Sequence, residues 1–438
     1  MKKILVILFL IVLLVVTALT SFKADCDSSA AIAAEEESSL YMDCFEIVWR
    51  TVNQKHFDPT FGGVDWKGVY KRYKPLISAV TGRREFYLLI NKMLFQLNVS
   101  HLGVVPPDVV QRLEPVVFAE GSIGLDVRWC CGDAVINRVT PGSPAHIAGL
   151  RPSFLIKTID GTPIEKIAEE RLSLLEPPYN KRASITNEIL GRIYGPAGTK
   201  VTIAYLDDRQ KNLQKTITRK QRDGKAHLAD IFPVSFTQFE AKRLEQGIGY
   251  IRFNCFHPVL NQKLVTAIRS MHDASGLIID LRGNPGGSPL VGKVLAEQLV
   301  GTRRLFYKMH FRCKTVDIYL EPGADVYKGP VAVLIDVTTK SAAELFAVAI
   351  QAIGRGKIVG ERSAGTTLGA DGMKLPNGAL LLYPVFQTTP ANGKKTEGIG
   401  VEPDIPVRLD YAALLTGRDS QLEAAVHFLT HQQRVSLK

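Results

Sequence analysis

The chain has 438 residues, 46% of them hydrophobic and 22% charged. That composition suits a folded protein of roughly two to four domains and argues against bulk disorder. The net charge is +11, but the basic residues are dispersed, and the densest run, residues 218–225 (TRKQRDGK), carries no aromatic side chain. A nucleic-acid-binding face is therefore disfavoured against a solvated basic surface.

Lys2 and Lys3 precede an unbroken apolar run at residues 4–19, after which the chain turns polar. These are the n-region and h-region of an export signal. The run is short for a spanning helix, so residues 1–24 are expected to be a signal peptide, with retention as an inner-membrane anchor the rival outcome. Cleavage after Ala18 or after Ala33 is conceivable. The charged stretch before Cys26 does not resemble a lipobox. Either outcome places the bulk of the protein outside the cytoplasm, periplasmic or extracellular. The six cysteines, Cys26, Cys44, Cys130, Cys131, Cys255 and Cys313, contain no C-x-x-C. A chain this long needs no disulfide framework, and mostly buried free thiols are expected.

Residues 25–39 read as a linker. From residue 40 to 105 the pattern is helical, with apolar residues at three- and four-residue steps in FEIVWRTVNQKHF and REFYLLINKMLFQL. Residues 106–222 change to short strands, among them IGLDVRW, AVINRV and FLIKTIDGTPI, broken by the turn and short helix of TPGSPAHIAGL. Residues 223–438 alternate strands and helices. GIGYIRF, SGLIIDL, GPVAVLID and GKIVGER read as strands, and NQKLVTAIRSMHD, SPLVGKVLAEQLV and SAAELFAVAIQ as helices. Such alternation predicts an α/β unit with a largely parallel sheet, whose strands should be continuously apolar. The whole reads as a multidomain α+β chain.

Four short stretches could carry chemistry. Ser341, with Glu344 three residues on, forms an S-x-x-E capping box. It also stands at a helix N-terminus, after a buried strand and before the small Ala342 and Ala343. Gly286 and Gly287 follow the strand LIID in a loop where open parallel sheets bind ligands. No G-K-[ST] follows, which disfavours a nucleotide P-loop. His101 lies in VSHLGV, a break after the helical region, and Glu397 in the glycine-rich TEGIGVEPDIPV. Spacing alone favours a bland role for Ser341, His101 and Glu397: a cap, a surface histidine and a loop acid. For the glycine loop it leaves a simple turn and a binding loop evenly matched.

In order, GLIIDLRGNPGG, VLIDVTTKSAAELFA, IVGERSAGTT and EGIGVEPDI resemble the blocks of the C-terminal-processing and tricorn-type serine peptidase family. That family is also related to the interphotoreceptor retinoid-binding protein. VDWKGVYKRYKPLI and MLFQLNVSHLGV resemble its N-terminal helical part, and GSIGLDVRW through KTIDGTPI looks like its PDZ domain. The resemblance implies a ClpP/crotonase-like catalytic sheet and serine peptidase activity on protein or peptide substrates, with no cofactor and no metal. One branch uses a Ser–Lys dyad, but Thr366 stands where that lysine would be. The other uses Ser, His and Glu, and its pattern falls on Ser341, His101 and Glu397, with Ser100 assisting. The Ala342 amide and one from Gly286 or Gly287 would bind the oxyanion. Ile123, Gly124 and Leu125 resemble a PDZ carboxylate-binding loop, although Ser153 and Phe154 replace its usual Gly-Asp turn. A non-catalytic peptide- or ligand-binding protein on the same fold is the alternative.

Overall fold

The structure, a computed structural model, describes residues 36–130, 132–172, 181–227, 234–323 and 325–436. The apolar N-terminal run, Cys26 and Cys131 lie outside them. Among the described residues no helix is long and apolar enough to cross a membrane. Cys44 and Cys255 are buried free thiols, and Cys313 is exposed.

Helix α1 spans residues 36–55, so the last part of the stretch read as a linker is helical. Its Glu36 and Glu37 are good helix formers, which a purely compositional reading overlooks. Helices α2 (Trp66–Ser78) and α3 (Arg83–Leu94) follow. Asp65 caps α2 by accepting the Gly68 N–H at 2.9 Å. α2 buries Trp66, Val69, Tyr73 and Ile77, and α3 buries Phe86, Ile90, Met93 and Leu94, each set tracing one helical face. A three-residue strand, β1 (Gly103–Val105), ends this region.

The middle unit contains β2 (Leu125–Cys130), β3 (Asp133–Val139), β4 (Leu155–Ile159), helix α4 (Lys181–Ile193), β5 (Lys200–Leu206) and β6 (Asn212–Thr218). Its strands form an antiparallel sheet in the order β2-β3-β4-β5-β6. Its core joins Val127, Ile136, Ile156 and Ile203 of the sheet to Ile185, Ile189 and Ile193 of α4.

The chain then runs through β7 (Phe239–Arg243), β8 (Gly249–Phe253), α5 (Asn261–Ser270), β9 (Leu277–Asp280) and α6 (Pro289–Glu297). Next come β10 (Arg304–Phe311), β11 (Thr315–Leu320), β12 (Val331–Ile335), α7 (Ala342–Ala352) and β13 (Lys357–Gly360). β14 (Gly369–Lys374), β15 (Leu380–Pro390), β16 (Ile405–Pro406) and α8 (Ser420–Ser436) complete it. The main sheet has the order β7-β8-β9-β12-β13-β16; β7 joins β8 antiparallel and every later pair is parallel. β9 and β12 are buried throughout, as strands covered on both faces must be. Ile279, Val333 and Ile335 face a core with α5, α6 and α7. Ile278, Ala332 and Leu334 alternate to the other face, under Ala425 and Leu429 of α8.

A second sheet ties the ends of the chain together. β1 pairs antiparallel with β15, Gly103 opposite Leu382, and β15 continues to β10 and β11. The N-terminal helices share one core with Leu375, Ala379, Leu381 and Tyr383. This seam carries His101, two residues before β1, to the region of Glu397.

Candidate active site

The site lies beyond the carboxyl ends of β9 and β12, the crevice where open α/β sheets bind ligands. Ser341 is the N-cap of α7 and is held at φ 52° and ψ −125°. A non-glycine residue in such a conformation costs about 1–3 kcal/mol and persists only where its surroundings fix it. Here they do. Asp336, at the end of β12, accepts the Thr338 N–H at 2.9 Å, the Thr338 hydroxyl at 2.7 Å and the Gly283 N–H at 3.2 Å. The Lys340 N–H donates to the Asn284 carbonyl at 3.0 Å. The Ser341 N–H donates to the Thr366 carbonyl at 3.0 Å and to the Glu344 carboxylate at 3.0 Å.

Glu344 does more than cap its helix. It is fully buried, and its carboxylate also accepts from the Ser363 hydroxyl at 2.5 Å, the Gly365 N–H at 2.7 Å and the Thr366 N–H at 2.9 Å. One acid thus pins segment 363–366 behind the nucleophile position. Burial pushes its carboxyl up to about 7, against the pull of those donors.

The glycine loop meets Ser341 face on. Gly286 has φ +97°, and a Cβ there would stand 2.7 Å from the Ser341 Cβ and 2.8 Å from the Ala342 nitrogen. Only glycine fits. We expect Gly286→Ala to lower activity at least 100-fold, because the methyl would displace the Ser341–Ala342 backbone and its amide, a loss on the scale of one oxyanion donor, with the far-ultraviolet dichroism of the chain retained. The Gly286 N–H is already committed to the Asn284 side-chain oxygen at 2.9 Å. Among the described residues no hydrogen bond uses the N–H of Gly287 or of Ala342. Of the two glycines, Gly287 is thus the one whose N–H is left uncommitted among the described residues.

On the opposite side, Ser100 links the histidine to the acid. Glu397 accepts the Ser100 N–H at 3.0 Å and the Ser100 hydroxyl at 3.1 Å, and the Thr367 N–H at 2.7 Å. The Ser100 hydroxyl lies 3.0 Å from His101 Nδ1. With the hydroxyl donating to Glu397, its oxygen accepts from Nδ1–H, which leaves Nε2 as the unprotonated nitrogen. Glu397 makes no direct hydrogen bond to the imidazole, and none joins His101 to Ser341. The link between the two halves is backbone: Thr366 accepts the Ser341 N–H, and the next residue, Thr367, donates to Glu397. His101 is itself strained, at φ +56°. Burial and the Lys340 ammonium push its imidazole down to about 4, and burial raises the Glu397 carboxyl.

The Peptidase family S41 profile matches residues 247–407, and the Tricorn protease C1 domain profile matches residues 41–95. The chain thus resembles peptidase family S41 over its C-terminal part. It is 28% identical to the carboxyl-terminal-processing protease of Synechocystis sp. over 92% of this chain and 89% of that protein. It is 25% identical to the chloroplastic carboxyl-terminal-processing peptidase 2 of Arabidopsis thaliana over 87% of this chain and 71% of that protein. Among solved structures it resembles the photosystem II D1 C-terminal processing protease, with a TM-score of 0.55 and 23% identity, over 86% of this chain and 96% of that one. That likeness is one of fold.

Together with the named processing proteases, that resemblance makes the chain a serine-type peptidase. Two observations bear on a lysine partner for Ser341. Thr366 stands where the resemblance puts the lysine of the Ser–Lys branch, and its N–H is held by Glu344. Lys340, although adjacent to Ser341, is paired with Glu114 at 2.9 Å. Nothing in the sequence signals Glu114, nor the buried ion pair of Arg128 with Asp336 at 2.6 Å. These partners lie more than 200 residues apart, as the separations of 226 and 208 show. A D-L-R-G-N or D-V-T-T string does not advertise such a contact.

Proposed function

We propose that the chain is an exported serine endopeptidase, in which Ser341 attacks the scissile carbonyl of envelope or secreted proteins. His101 Nε2 takes the hydroxyl proton and returns it to the leaving amine. Glu397, acting through the Ser100 hydroxyl, holds the tautomer and offsets the charge of the imidazolium. The amides of Gly287 and Ala342 receive the oxyanion. The observation that carries this reading is the hydrogen-bonded line Glu397–Ser100–His101, assembled across 297 residues of sequence beside the Ser341 loop. Protein substrates accord with the names of the relatives. Export rests on Lys2, Lys3 and the apolar run that follows them. Incubating the full chain with an unfolded protein and sequencing the fragments tests the reading. Internal cuts are expected; trimming of single residues from the ends, or no cutting, contradicts it.

The base also sets a pH dependence. A histidine held down near 4 stays neutral far below its ordinary range, so the acid limb of kcat/KM is expected near pH 4 rather than near pH 6.5. Lys340→Gln removes a cation that lowers the imidazole and leaves Glu114 unpaired; both changes raise the limb. A limb that stays put in this variant contradicts the assignment.

A further inference from the structure

In family terms, the middle unit would read a substrate's C-terminus by adding it as a strand to a free sheet edge, with amides of an adjoining loop on the terminal carboxylate. We propose that this groove is closed by the unit's own helix α4, so that the enzyme takes segments of unfolded polypeptide without reading a terminal carboxylate. This proposal rests on the peptidase reading above.

The strand that would receive a peptide is β2, the end strand of its sheet. An added strand sits about 4.8 Å from its neighbour. That space is taken. The Trp129 N–H of β2 donates to the Thr186 hydroxyl of α4 at 3.1 Å, and Thr186 donates in turn to the Arg182 carbonyl at 2.9 Å. A helix within one hydrogen bond of the strand leaves no room for a third chain. The apolar slot is filled as well, since Ile185, Ile189 and Ile193 share a core with Ile123, Leu125 and Val127.

One amide of the loop is also engaged, and two of its carbonyls are. The Gly124 N–H donates to the Ser122 hydroxyl at 2.9 Å. The Ile123 and Gly124 carbonyls accept the Ala145 and Thr140 N–H groups, each at 2.9 Å. Ile123 is fully buried. The Ser153-Phe154 turn has its own structural reason: Phe154 stacks on Tyr205 inside the unit, with ring centroids 5.4 Å apart. Arg128, on the same strand, is spent on Asp336.

Two measurements test the proposal. The first compares kcat/KM of the full chain on a fluorogenic peptide ending in a free apolar residue with that on the same peptide amidated. Values within about twofold are expected, and a tenfold or larger preference for the free acid overturns the proposal. The second uses Ser341→Ala protein and fluorescence anisotropy of the two labelled peptides. Titrations that superimpose are expected, and saturable binding abolished by amidation overturns the proposal. If neither peptide is cut, the peptidase reading has failed and the anisotropy comparison still decides whether the groove reads a carboxylate.

Discussion

Replacing Ser341 with alanine should reduce the turnover of an unfolded protein by about a millionfold, the scale seen when a serine nucleophile is removed from a triad. What remains is catalysis from the oxyanion amides and substrate binding alone. The substitution should cost little stability. Ser341 is anchored through its backbone, by Thr366 and Glu344, and alanine keeps that backbone while facing the same positive φ. A stopped assay of fragment release, read beside a thermal melt, separates the two effects. A large fall in the melting temperature would mean that the serine was chiefly a cap.

The second large effect is expected at His101, where alanine should approach the loss caused by Ser341→Ala. The double variant should be no worse than either single one, because residues acting as one unit are grossly non-additive. Glu397→Gln and Ser100→Ala should cost less, since each only orients the base or stabilises its charge. They should resemble one another, because Glu397 reaches the ring only through the Ser100 hydroxyl. Additive losses in the Ser341–His101 double variant would mean that the two side chains do not act together.

Much of this site was legible before any coordinates, but unevenly. The buried strands and the Ser341 helix announce themselves by apolar runs and a capping box, both local signals. The triad partners are another matter. His101 looked like a surface histidine because β1 is only three residues long, too short for a pattern, and its pairing with β15 is what carries His101 inward. Glu344 reads as a helix cap from spacing, yet its main work is to clamp a segment about 20 residues downstream, as the separations of 19 to 22 residues show. The amides of Gly286 and Gly287 look equivalent in sequence, and they differ only by where one Asn284 oxygen points. The start of α1 is hidden in the sequence because Ser, Ala and Glu serve linkers and helices alike. Apart from the start of α1, each of these gaps is a tertiary contact, which composition and period do not encode.

The proposed reach of the base also explains why no hydrogen bond joins His101 to Ser341 in the free chain. Catalytic hydrogen bonds often tighten only in the substrate complex. With the imidazole held low by burial and Lys340, and its Nε2 unprotonated by the tautomer argument, it can accept a proton when substrate is bound. The test that bears most directly on the central claim is labelling with a fluorophosphonate, followed by mass spectrometry of the modified peptide. A single adduct on Ser341, lost in His101→Ala, is the expected result. An adduct on another residue, no adduct at all, or undiminished labelling in His101→Ala would contradict a Ser341–His101–Glu397 peptidase.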